Sequence, residues 1–264
     1  MINSIILGII QGITEFLPVS SSGHLIVLKK FLQKWQLTDI MHKNDDLYFI
    51  ILVHFATLLA VIIFFRKQII SLGKGILHQE KAAMQYCKYI IAATVPTAVI
   101  GFFLEEYLTV FFSTTVVVAF FFIITAILLG LTRFKIAHNK DLTLVAALII
   151  GIVQGLAVIP GISRSGSTIA VALLLGINRN KAGEFSFLIA IPVILGVTLL
   201  KFTEADVINN FVLADAFGAG AAFISGYFSL KLLMSFVKKG NLYNFSYYLC
   251  LLGGGLLIYL MLYL

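Results

Sequence analysis

Two stretches carry side chains able to do chemistry within an otherwise apolar chain. QGITEFLPVSSSGH (11–24) holds Gln11, Glu15, Ser20, Ser21, Ser22 and His24, and PGISRSGST (160–168) holds Ser163, Arg164, Ser165, Ser167 and Thr168. From Leu142 to Ile177 the only charged side chain is Arg164. A guanidinium in the middle of an apolar run costs several kcal/mol unless it meets a polar cavity or a partner. Its forked donors match phosphate oxygens, and the free amides where each stretch leads into a helix favour an anion. A carboxylate, a run of hydroxyls and an imidazole beside an arginine form a set suited to phosphoryl transfer. Gln11 lies one turn before Glu15 on the same helix face.

Each residue also has a plainer reading. Arg164 could pair with Glu15 for structure alone, any one serine could satisfy a backbone carbonyl, and His24 could hold a turn. His54 fits a hydrogen-bonded helix contact better than a catalytic role, and Gln154 fits a bridge between helices. The convergence of all these polar types on two stretches favours a site.

The chain around them is 60% hydrophobic and 12% charged over 264 residues. Soluble domains run near 25% charged, so the sequence reads as an all-α integral membrane protein. The net charge of +7 comes mostly from Lys and Arg in short loops. It therefore reads as orientation in the bilayer, with no nucleic acid as partner. Cys87 and Cys250 stand far apart without metal-binding spacing and read as packing residues. The N-terminus MINSIILGII has no basic residue before its apolar run, so no cleaved signal peptide is expected.

A helix needs about 20 apolar residues to cross a bilayer. Six segments qualify or nearly so: Leu47–Phe65, Tyr89–Leu104, Thr114–Leu131, Glu184–Leu200, Asn210–Leu230 and Tyr243–Leu264. Residues 4–28 and 142–177 are interrupted by the two polar stretches, and their apolar arms are mostly too short to span. Both read as re-entrant helix hairpins whose irregular tips line a protected polar cavity.

The hairpins also match each other. At a fixed offset of 143 without a gap, eight of nineteen positions in 8–26 are identical in 151–169: Gly8, Ile9, Gln11, Gly12, Ser20, Ser22, Gly23 and Ile26. Three spans follow each hairpin, so the chain divides into two repeats, 1–141 and 142–264. An odd number of crossings inserts the second copy upside down, giving an inverted-topology repeat. The basic loops 66–88, 132–142 and 231–239 then fall on the cytoplasmic side and the Glu105–Glu106 loop and both termini outside. Lys29, Lys30 and Lys34 fall outside too, against that rule. The two tips meet near the midplane, with Arg164 facing the first. The fold alone would equally serve a lipid-carrier flippase; a nucleophile beside a base favours an enzyme.

The two motifs, Gln11…Glu15 and Pro160 to Thr168, resemble the signatures of the undecaprenyl-diphosphate phosphatase (bacitracin-resistance) family, and the likeness covers essentially the whole chain. It implies hydrolysis of a C55 polyprenyl diphosphate to the monophosphate carrier used in cell-wall synthesis. Carried onto this sequence, Ser21 would be the nucleophile and His24 an acid/base or itself the nucleophile. Arg164 would clamp the diphosphate, with Ser20, Ser22, Ser163, Ser165 and Thr168 binding phosphate. Glu15 and Gln11 would hold a divalent ion, Mg²⁺ or else Ca²⁺, or Glu15 would act as base. Gln11 stands where that family has Glu or Gln, and its being Gln weakens a site of two carboxylates on one metal. The resemblance further implies a bacterial plasma-membrane location with the site open to the outside; whether two copies form a homodimer stays open.

Overall fold

The computed structural model describes residues 1–34, 47–108, 114–134, 139–204 and 213–263. Twelve helices account for nearly all of these: α1 (Ile2–Phe16), α2 (Ser21–Lys34), α3 (Leu47–Phe64), α4 (Arg66–Leu77), α5 (Lys81–Leu108) and α6 (Thr115–Leu131), then α7 (Leu144–Leu156), α8 (Arg164–Leu174), α9 (Arg179–Leu188), α10 (Ala190–Glu204), α11 (Leu213–Lys239) and α12 (Asn244–Tyr263). No strand occurs among the described residues. Trp35, Lys135, the start of the Asn210 span and Leu264 lie outside them.

Four helical stretches among the described residues are long and apolar enough to cross a membrane: Lys81–Leu104, Arg179–Lys201, Leu213–Lys239 and Asn244–Leu262. The pair Tyr48–Phe64 and Arg66–Leu77 passes the same test only when taken together and is bent by 71° between its halves. Large apolar side chains such as Phe102, Phe103, Leu251 and Met261 stand on the outer surface, as a lipid solvent allows and water would not. The protein is an all-α, multi-pass membrane protein. The expected span Thr114–Leu131 is the 17-residue α6, which at 1.5 Å per residue reaches about 26 Å, just short of the ~30 Å hydrocarbon core.

Both interrupted regions are helix–break–helix hairpins with short arms of 15 (α1), 14 (α2), 13 (α7) and 11 (α8) residues. Pro18 ends α1, because it forces Leu17 out of the helical region to φ −60°, ψ 145°. α7 ends at Leu156 with Ala157 as its C-cap, and Pro160, which cannot donate to Leu156 O, keeps the helix from resuming. Gly161 takes φ +98° with Val118 O 2.6 Å from where a Cβ would sit, so no other residue fits.

The first arms insert between the longer helices through matched glycines. A Cβ on Gly8 of α1 would lie 2.0 Å from Gly218 O on α11, and one on Gly151 of α7 would lie 2.2 Å from Ala93 O on α5. Such backbone contact is the small-residue packing that holds helices together in lipid, where no hydrophobic force favours their association. Ser4 on α1 adds a hydrogen bond of 3.4 Å to Asp215 on α11.

Three boundaries differ from the expectations. The basic stretch after Phe65 is a helix, α4, whose apolar Ile69, Leu72 and Ile76 recur at helical spacing. Arg66 turns the chain there by donating to Ile63 O at 3.0 Å, while Phe65 is buried beside Phe187. Glu105 and Glu106 fall within α5 and not in a loop. The Glu184–Leu200 span is broken at Ile189. Pro192 cannot donate to Leu188 O, and the neighbouring Ile189 carbonyl accepts from Gln154 Nε2 at 3.3 Å. Near the start of α9, Lys181 lies 2.5 Å from Asp141 and holds that exposed carboxyl below its usual range.

Candidate active site

The two breaks face each other. Ser165 Oγ on the second tip donates to Phe16 O at 2.9 Å, and Gly161 N donates to Ser20 Oγ at 3.1 Å. Their local designs correspond at the sequence offset. Ser20 Oγ accepts from Gly23 N at 3.4 Å, and Ser163 Oγ accepts from Gly166 N at 3.2 Å. Both serines therefore cap the helix that follows them. Ser20 does so with φ 68°, a left-handed conformation that costs a non-glycine residue about 1–3 kcal/mol.

The capping serines make Ser21 and Arg164 the first residues of α2 and α8, at equivalent positions, and both reach Glu15. Arg164 Nη2 donates to Glu15 Oε1 at 2.6 Å, and Ser21 Oγ donates to Glu15 Oε2 at 2.9 Å. Gln11 Nε2 donates to Oε2 at 3.1 Å and lies 3.3 Å from His54 Nε2. Side-chain exposures of 10% for Glu15 and 18% for Arg164 leave the pair strongly shielded from water. Only one guanidinium nitrogen is used on Glu15, so the fork keeps donors for a second anion.

A cavity of about 210 Å³ opens beside this pair. Its polar wall is Glu15, Ser20, Ser21, Ser22, Ser163 and Arg164, with Thr14, His54, Thr97 and Gln154; its apolar wall includes Val158, Ile162, Val193 and Ile194. A charged head and a hydrocarbon tail thus both find a matching surface.

Three expected site residues lie elsewhere. Thr168 is fully buried, with its hydroxyl on Arg164 O and Ser186. Ser165 is spent on the Phe16 carbonyl. Neither lines the cavity, because Ser165 turns to Phe16 and Thr168 turns its hydroxyl onto the α8 backbone and Ser186 of α9. His24 is also absent from the cavity wall; its ring lies between Phe122 and Tyr248. The imidazole near Glu15 is that of His54, 3.9 Å from Oε2. Gln154 bridges helices as expected, donating to Thr97 Oγ1 at 3.2 Å as well as to Ile189. Thr97, which touches both Gly151 O and Gln154, went unremarked in the sequence; its signal is a hydroxyl beside Pro96 in an apolar run.

Ser165→Ala checks this placement. Phe16 O would lose its buried partner, so stability should fall by about 1–3 kcal/mol, read as a lower midpoint of thermal unfolding in detergent. The turnover of the folded fraction should stay near wild type. A selective loss of turnover at unchanged stability would return Ser165 to the phosphate site.

Gln11 and Glu15 also bear on a metal. Gln11 Oε1 is buried without a hydrogen-bond partner, one turn from the Glu15 carboxylate. Mg²⁺ commonly takes one or two protein oxygens together with substrate phosphate and water, and these residues fit that pattern. Among the described residues no three His, Cys, Asp or Glu side chains cluster as a self-sufficient metal site.

A sequence model of the family described as "Bacitracin resistance protein BacA" matches residues 4–255. Proteins named undecaprenyl-diphosphatase are similar along nearly their full length. That of Treponema denticola is 42% identical (97% of this chain, 96% of the relative), and that of Carboxydothermus hydrogenoformans 40% (97% and 95%). The protein of that name from Methanococcus vannielii is 36% identical (93% and 94%). With matched tips, a shielded arginine–carboxylate pair and similarity across the whole length, the chain belongs to the bacitracin resistance protein BacA family.

Proposed function

We propose that the chain is a polyprenyl-diphosphate phosphatase that hydrolyses undecaprenyl diphosphate to undecaprenyl phosphate and inorganic phosphate, recycling the lipid carrier for cell-wall synthesis. The observation that carries this reading is the row Ser21–Glu15–Arg164: a hydroxyl donating to a carboxylate at 2.9 Å, beside a guanidinium at 2.6 Å from the same carboxylate. A nucleophile paired with its base is what group transfer needs, and a carrier that only moved the lipid would need the guanidinium alone.

Arg164, with Ser163, Ser20, Ser22 and the first amides of α2 and α8, holds the terminal phosphate. Ser21 Oγ attacks its phosphorus as the hydroxyl proton passes to Glu15. The bridging P–O bond breaks and the lipid monophosphate leaves as an anion. Water then attacks the phosphoserine; the P–Oγ bond breaks, Ser21 regains a proton from Glu15, and the proton from water goes to solvent with inorganic phosphate. Gln11 and Glu15 are the residues that would hold Mg²⁺ or Ca²⁺, which when bound would offset phosphate charge.

The inverted arrangement of repeats 1–141 and 142–264 belongs to the same proposal. The matched caps and the matched glycine contacts, Gly8 with α11 and Gly151 with α5, support it. A bacterial plasma-membrane setting with the cavity open to the outer face and the basic loops inside is part of the same proposal. Purified protein in vesicles decides the main point. Release of phosphate from a polyprenyl diphosphate is the expected result; transfer of a labelled polyprenyl phosphate between leaflets without phosphate release would overturn it.

A further inference from the structure

His24 belongs to the first motif yet stands outside the cavity, and both of its ring nitrogens are engaged. Nδ1 lies 2.8 Å from Ser20 O, and Nε2 lies 2.7 Å from the Tyr248 hydroxyl. A carbonyl oxygen only accepts, so Nδ1 carries the proton; in the neutral ring Nε2 then accepts from the Tyr248 O–H. The ring stacks on Tyr248 with centroids 5.7 Å apart and planes 11° apart, and meets Phe122 at 5.2 Å. Tyr248 is on α12 and Phe122 on α6, so two long helices fix the imidazole.

What the imidazole holds is the strained corner of the tip. Ser20 O accepts from His24 twice, from the ring and from the backbone N–H at 3.2 Å. Ser20 is the residue with φ 68°, and its hydroxyl receives the Gly161 amide of the opposing tip. The residue that follows it is Ser21. A turn of a few degrees at Ser20 would move the Ser21 hydroxyl relative to Glu15.

We infer that His24 and Tyr248 are positioning residues, a strut from α12 through the imidazole to Ser20 O that aims Ser21, and that His24 exchanges no proton with substrate. The inference rests on the proposed roles of Ser21, Glu15 and Arg164. Asn in place of His24 can set its amide N–H where Nδ1–H stands but cannot act as an acid or base near neutral pH.

The test measures phosphate release from polyprenyl diphosphate for wild type, His24→Asn, His24→Ala and Tyr248→Phe. His24→Asn, which keeps the bond to Ser20 O but gives up the ring's bond to Tyr248, should lose about 10-fold in kcat, and His24→Ala should lose about 100-fold with KM little changed, the larger loss being the scale expected for ångström misplacement of a reacting group. Tyr248→Phe keeps the stacked ring and should lower kcat by about 3–10-fold. In wild type labelled with ¹⁵N-histidine, the His24 resonances should report the Nδ1–H tautomer, and the Nε2 resonance should shift in Tyr248→Phe; this readout serves even if His24→Ala fails to fold. Asn as slow as Ala, Ala as fast as wild type, or an Nε2–H tautomer would each overturn the strut. A wild type that releases no phosphate would instead overturn the phosphatase reading itself.

Discussion

Arg164→Lys lowers kcat/KM for the lipid diphosphate by about 10³-fold or more, the scale seen when an arginine is withdrawn from a phosphoryl-transfer site. The formal charge survives the change, so the loss isolates the shape of the group. Arg164 places one nitrogen 2.6 Å from Glu15 Oε1 while its remaining donors border the cavity. A lysine ammonium is a single point on a flexible stem and cannot grip the carboxylate and flank phosphate oxygens together. Arg164→Ala goes further, because it strips a largely buried carboxylate of its counter-charge and should cost about 3–5 kcal/mol of stability. Phosphate-release kinetics on the lysine variant, with thermal unfolding on both, separate the two effects. A lysine variant within tenfold of wild type would show that charge alone suffices and that the fork is unused.

Ser21→Ala and Glu15→Gln each reduce kcat by about 10³–10⁴-fold, and the double variant is hardly slower than either, since a nucleophile and its base fail as one unit. The 2.9 Å bond from Ser21 to Glu15 Oε2 is the physical reason: without the hydroxyl the carboxylate has no proton to accept, and without the carboxylate the hydroxyl keeps its proton. Single-turnover kinetics and trapping of phosphate on Ser21 provide the measurement. If Ser21→Ala retains activity within about tenfold while Glu15→Gln does not, water attacks directly and Ser21 only orients it.

The hairpins were legible because lipid tolerates so few exceptions. An isolated arginine, prolines at 18 and 160 and clustered serines interrupt runs that otherwise carry almost nothing polar, so breaks and partners could be placed by elimination. That the tips meet followed from the cost of leaving Arg164 alone. Rotational phase was not legible. α3 is apolar on nearly every side, so nothing in its pattern says that His54 turns toward Glu15. α8 is buried on almost all faces, so the sequence could not tell that Ser165 and Thr168 look away while Arg164 looks in. His24 is close to the site along the chain, yet it lies in the first turn of α2, which carries it around to Tyr248. α4 is hidden in the sequence because its basic residues mask an apolar stripe at helical spacing.

The seam where Ser165 grips the Phe16 carbonyl and Ser20 receives the Gly161 amide also bears on traffic across the bilayer. A headgroup travelling from one leaflet to the other through the centre of the protein would have to unzip both contacts and part Arg164 from Glu15 in the same event. Cleavage asks for none of this, since the scissile bond needs only to arrive at a floor that stays shut. The contacts that hold the two tips together therefore oppose passage through the centre without opposing cleavage beside them.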